Sequence, residues 1–94
     1  MEIAKADIVQ SEAGRDKGKL FFVLNVEDAF LLLADGKSRK VETPKRKKRR
    51  HVRFVASDKT RVSEKITGEE KITNSELRRA LAVFRETDYP IQEG

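Results

Sequence analysis

The sequence predicts a mainly β fold, a small five-stranded barrel with a C-terminal α-helix. Three observations lead there. Short runs rich in Val, Leu, Ile and Phe recur at close spacing between Ile8 and Val55, glycine-containing turns separate several of them, and one amphipathic stretch with a helix-start signature stands apart near the C-terminus.

The strands can be placed in order. Ile8-Val9 is a short apolar pair, and Leu20 to Val26 is dense in strand formers. Between them, Ala13-Gly14-Arg15-Asp16-Lys17-Gly18 carries two glycines that suit a tight connection with positive φ. Ala29 to Ala34 is the third run, and Asp35-Gly36 followed by Lys37 to Val41 reads as a type I′ hairpin leading into a fourth strand. Val52-Arg53-Phe54-Val55 alternates apolar and charged residues, as a half-buried last strand should. From Ala56 to Lys71 the chain is polar without clear period and is expected to be mostly loop.

The helix announces its own start. Thr73-Asn74-Ser75-Glu76 is a capping box, and Ile72 with Leu77 fits a hydrophobic staple. Leu77, Ala80, Leu81 and Phe84 recur on one face of a helix expected from Thr73 to Arg85, with Tyr89-Pro90 ending it. Residues 1–55 are therefore expected to form the barrel, and residues 56–94 a linker and a helix packed on it.

Composition narrows the function. The 94 residues are enough for one compact unit with a limited core, and 39% of them are charged. Met1 to Val55 holds 14 basic against 8 acidic residues, net +6, while Ala56 to Gly94 holds 7 against 8, net −1. The positive field belongs to the first half, which is the half expected to meet a polyanion. Without cysteine there is no disulfide framework, thiolate nucleophile or cysteine metal site. The start lacks the layout of a signal peptide, and no apolar run approaches the roughly 20 residues that cross a bilayer, so a cytoplasmic protein is expected.

The chemistry concentrates in cations. Lys45-Arg46-Lys47-Lys48-Arg49-Arg50 places six positive side chains in a row behind Pro44, ahead of His51 and flanked by Arg39, Lys40 and Arg53. Such a run repels itself and is stable either splayed in water or laid along phosphates, where each contact releases counterions. A solvated charge run or a localisation patch is the bland alternative. Arg15, Lys17 and Lys19 in the Gly14 to Lys19 loop are candidate phosphate contacts too. The glycine spacing is not that of Walker A, and an ordinary turn explains the loop equally well.

His51 is the sole histidine, which excludes triads and multi-histidine metal centres. No nucleophile and base stand together, so no catalytic residue, metal, cofactor or small-molecule substrate is expected. Phe21, Phe22, Phe30, Phe54 and Phe84 have the chemistry to stack bases, but a chain this short needs most of its large side chains inside.

Ser-x-Ala-Gly-Arg-Asp-Lys-Gly from Ser11, Ala-Asp-Gly-x-x-Arg-Lys-Val from Ala34, and Pro-Lys-x-Lys from Pro44 occur in that order. Together they resemble the KOW module, and more closely the bacterial KOW-domain RNA-binding proteins related to the archaeal and eukaryotic large-subunit ribosomal protein fourteen of the "e" type. The resemblance spans Ile3 to Val55 and, more loosely, Asn74 to Phe84. It implies an SH3-like barrel of KOW type, with Gly14 to Lys19 as the KOW loop and Pro44 to His51 as a basic rim. Ala6 departs from the pattern, since glycine is usual near the first strand.

The expectation from residues and resemblance together is a ribosome-associated protein that binds structured RNA, ribosomal RNA of the large subunit foremost, by phosphate and shape. Two alternatives stand beside it. One is a transcription or translation factor module. The other is a protein-interaction adaptor whose helix docks a partner.

Overall fold

The computed structural model describes residues 2–87, with side chains through Phe84. Strands β1 (Asp7–Ser11), β2 (Leu20–Glu27), β3 (Phe30–Ala34), β4 (Lys45–Lys48) and β5 (Val52–Ser57) precede helices α1 (Arg61–Thr67) and α2 (Asn74–Thr87). The fold is mainly β, with all five strands in one antiparallel sheet of order β4-β3-β2-β1-β5.

The sheet is not the closed barrel expected from the sequence. β4 and β5 lie at its two edges, and a 3-10 turn, Arg49–His51, joins them where a hairpin would have paired them. The chain in that turn does not run extended, so its backbone groups cannot form a ladder. The Glu12 amide donates to the His51 carbonyl at 2.8 Å, continuing the β1–β5 register into the turn, and from β4 Lys47 Nζ donates to the Ala13 carbonyl at 2.7 Å. In a flat sheet β4 and β1 would stand three strand spacings, about 14 Å, apart. The Lys47 contact therefore requires the sheet to roll, and irregular registers between Ile8 and Val9 and between Val23 and Asn25 supply local bends.

β2 is apolar on both faces because both are covered. Phe21 and Val23 join Ile3, Val9, Leu31, Leu33 and Val52 in one core. Leu20 and Phe22 point the other way, into a second core with Ile8, Ala34 and the helical residues Ile66, Leu77 and Leu81. Of the aromatics, Phe21 and Phe22 are fully buried, while Phe30, Phe54 and Phe84 are half-buried.

Two local expectations are corrected. Asp35-Gly36 does not turn a hairpin, and Lys37 to Val41 is not a strand. The Asp35 carboxylate instead accepts from the Lys37 and Arg39 amides, at 2.9 and 2.8 Å, and from the Ser38 hydroxyl at 2.9 Å, closing a loop on itself. The partner of β3 is the basic run, in the register Leu33 with Lys45 and Leu31 with Lys47. The second correction concerns Ala56 to Lys71, which holds the end of β5 and all of α1. Thr60 caps that helix, accepting from the Val62 amide at 3.2 Å, and Ile66 is buried with Val62 packed beside it.

α2 begins as its sequence specifies. The Glu76 carboxylate accepts from the Thr73 amide at 2.9 Å while the Thr73 hydroxyl accepts from the Glu76 amide at 3.1 Å. Ile72 and Leu77 share the helix-side core. The expected stop at Tyr89-Pro90 lies outside the described residues. Lys65 reaches Glu76 at 2.6 Å, tying α1 to α2 and, with the Thr73 amide, pulling the Glu76 carboxyl down to about 2. Asn74 accepts from the Val41 amide at 2.7 Å and donates to Glu42 at 2.9 Å, which holds the Glu42 carboxyl below its ordinary value. Arg78 donates to the Gly36 carbonyl at 2.6 Å. The loop between β3 and β4 is thereby fastened to the first turns of α2.

Candidate nucleic-acid interface

The Gly14 to Lys19 loop owes its shape to backbone geometry. Gly14 and Gly18 take φ +78° and +91°, the left-handed region that glycine enters without penalty. The Gly18 amide donates to the Ser11 carbonyl at 2.8 Å and the Ser11 amide to the Lys19 carbonyl at 3.0 Å, closing the loop at its neck. Gly14–Asp16 forms a 3-10 turn capped by Lys17, and the exposed side chains of Arg15 and Lys17 make no hydrogen bond or ion pair to any described residue.

Asp16 in the middle of the loop is buried. A carboxylate removed from water needs compensation, and Arg39 supplies it with two N–H groups on Oδ2, Nη2 at 2.9 Å and Nε at 3.3 Å. Lys19 adds a longer approach of 3.9 Å to the other oxygen. Arg39, expected to contact RNA, is therefore a brace that fixes the glycine loop against the segment between β3 and β4. Asp16 was not among the residues expected to matter. Its one sequence signal is an acid standing alone between Arg15 and Lys17.

The basic run divides its labour. As strand β4 it alternates, with Lys45 and Lys47 half-buried and Arg46 and Lys48 exposed. Lys47 spends its charge on the Ala13 carbonyl, just ahead of the glycine loop. Arg46 sits over the Phe30 ring, 3.7 Å from its centroid, and donates to Glu27 at 3.2 Å. Arg49 is half-buried and makes one long bond, 3.5 Å, to the Ile3 carbonyl. Lys45, Lys48 and Arg50 have no such partner among the described residues, and Lys40 is likewise exposed without one. His51 is half-buried, and its backbone carbonyl rather than its ring forms the contact to Glu12.

Apart from Arg46, engaged by Glu27 and Phe30, and the half-buried His51, the sequence-expected residues fall into two groups. Arg39, Lys47 and, more weakly, Lys19 and Arg49 hold the surface together. Arg15, Lys17, Lys40, Lys45, Lys48 and Arg50 present their charges outward from it. The Arg39 and Lys47 contacts tie together three basic segments distant in the chain, the glycine loop, the loop after β3 and β4.

Among the described residues no three His, Asp or Glu side chains gather as metal ligands, and no helix is long and apolar enough to cross a membrane. No protein-family model matches this chain, and no curated protein matches it.

Proposed function

We propose that the chain is an RNA-binding protein of SH3-like, KOW type, in which the glycine loop and the basic strand together grip the phosphates of structured RNA, with ribosomal RNA of the large subunit as the target and the ribosome as its setting in the cytoplasm. The observation that carries this reading is the bracing of the basic surface through Asp16–Arg39 and Lys47–Ala13. A solvated charge run needs no such construction. Tying segments that carry this many unpaired cations together costs the protein repulsion, which a polyanion relieves through counterion release.

Backbone geometry supports the KOW-type resemblance. Ala6 takes φ +73° at the place where that resemblance leads one to expect glycine. β1 is flanked by β2 and β5, an order compatible with an SH3-like sheet, although β4 and β5 do not pair with each other. The adaptor alternative loses its main support, since Leu77 and Leu81 are already buried against the sheet. Recognition by phosphate and shape implies weak sequence preference.

The test is a salt titration of binding to ribosomal RNA fragments. Arg15→Ala with Lys17→Ala should leave stability within about 0.5 kcal/mol, yet flatten the slope of log affinity against log salt by roughly one unit for each phosphate left without its cation. Gly14→Val is the contrasting control: its φ of +78° is forbidding to a β-branched residue, so the fold itself should suffer. Unchanged affinity and slope in the double variant would remove the glycine loop from the interface. If neither it nor substitution of Lys45, Lys48 and Arg50 alters binding, the reading fails.

A further inference from the structure

At the far end of β4 from Lys45, the chain forms a pocket of about 450 Å³ lined by Ala29, Lys48, Arg49 and Arg50. Its construction is specific. The Arg49 amide donates to the Ala29 carbonyl at 2.8 Å, clamping the 3-10 turn after β4 onto the turn between β2 and β3. Three consecutive basic residues then line one cavity, and no acidic residue does. Glu27, which is engaged by Arg46, and Asp28 precede Ala29 in the sequence, and neither lines the pocket.

Arg49 is the informative member. Among the described residues its Nε is buried without a hydrogen-bond partner, and its Nη2 reaches the Ile3 carbonyl at 3.5 Å. A guanidinium N–H withdrawn from water without an acceptor is costly, and turning this side chain into the cavity it lines would let a guest supply the acceptor. Lys48 and Arg50, without partners of their own among the described residues, add charge around the same cavity. Phosphate is a suitable guest: it is anionic, it offers several acceptor oxygens, and guanidinium matches it with paired N–H donors.

We propose that this pocket is an oxyanion site that takes a phosphate group of the bound RNA, with Arg49 as the inner ligand and Lys48 and Arg50 as the outer ones. The proposal rests on the RNA-binding reading and adds a fixed anchoring point to a surface otherwise read as diffuse. Such an anchor sets register on the RNA without reading a base.

Nitrogen-15 NMR of the full chain tests it, with the Arg49 Nε–H signal assigned by its loss in Arg49→Lys. Inorganic phosphate is titrated first, then a short RNA hairpin in fresh sample. The expected result is a saturable shift of the Arg49 Nε–H signal with both, and a loss of RNA affinity of about tenfold or more in Arg49→Gln. Because Arg49→Gln risks the fold, Lys48→Gln with Arg50→Gln is measured beside it, and it should weaken the phosphate response while melting as the parent does. If the hairpin moves the Arg15 and Lys17 amides but leaves Arg49 untouched, the pocket is overturned and the RNA reading stands. If phosphate moves Arg49 but the hairpin moves nothing, RNA is excluded as the source of the phosphate and the RNA reading falls with it.

Discussion

β2 and β4 both pair with β3 in the same antiparallel sheet, yet they share almost no side-chain chemistry. In β2, Leu20 to Val23 are buried in succession, their side chains feeding two cores in turn. β4 is Lys-Arg-Lys-Lys, alternately half-buried and exposed, and contributes no residue to either core. Ladder hydrogen bonds use the backbone alone, so a sheet accepts at its edge a strand that its middle would reject. Stability and charge are thereby assigned to different strands, and each can be changed with little effect on the other.

The sharpest way to break that comparison is Phe21→Ala, which empties the centre of one core and should cost about 3–5 kcal/mol in a denaturant titration. A cost no larger than that of removing surface charge would mean that β2 is not the stabilising strand. Next in size is Gly36→Ala. Gly36 has φ +80°, and a Cβ there would stand 2.2 Å from the Asn74 carbonyl oxygen, so the loop would have to leave α2. A cost of about 2–4 kcal/mol is expected, read from the same titration.

The helix cap should matter less. Thr73→Ala removes one side of the capping box, and a loss on the order of 1 kcal/mol is expected from thermal or chemical melts. Its partner adds a pH dependence. With its carboxyl drawn down to about 2 from an ordinary 4.5, ionised Glu76 stabilises the fold fully above that ordinary value, and the contribution is lost as pH falls toward 2. Glu76→Gln should therefore be less stable than the parent near neutrality, with the difference shrinking below about pH 4.5 and closing as pH falls to about 2. Parallel melting curves across that range would refute the link.

The smallest effect on stability belongs to β4. Lys45→Ala with Lys48→Ala should shift unfolding by no more than about 0.5 kcal/mol. The same pair should nonetheless flatten the salt dependence of RNA binding by roughly one unit for each phosphate that these lysines neutralise. A large stability loss with an unaltered salt slope would reverse the assignment of roles.

Features that depend on near neighbours were legible in the sequence. Thr73 and Glu76 satisfy each other three residues apart, and Leu20 to Val26 is apolar enough to be a strand in almost any context. What depended on distant partners was not. Asp35-Gly36 carries a hairpin signal, but the Asp35 carboxylate captures the backbone beyond it and Gly36 is needed for close approach to Asn74. Lys45 to Lys48 contains no apolar residue from which a strand could be read. Val62 and Ile66 sit four apart, as a helix face requires, yet one such pair is too little signal for the short α1. At the candidate interface the cationic segments were visible, and Arg15 and Lys17 stand exposed as a loop reading suggests. That Arg39 and Lys47 are braces was hidden, because Asp16 and Ala13 meet them only once the sheet has rolled.

The open edge of β4 has one more consequence, for solubility. A strand with a free edge is a template onto which another copy of the chain can add its own, the first step toward aggregation. Four adjacent cations oppose that step, since a second β4 brought alongside would set like charges against like. Concentrated salt weakens this repulsion and leaves the edge bare, whereas a bound polyanion weakens it while covering the edge. Light scattering should accordingly show clustering at high ionic strength when Lys45, Arg46, Lys47 and Lys48 stand alone, and a monodisperse particle when RNA lies across them.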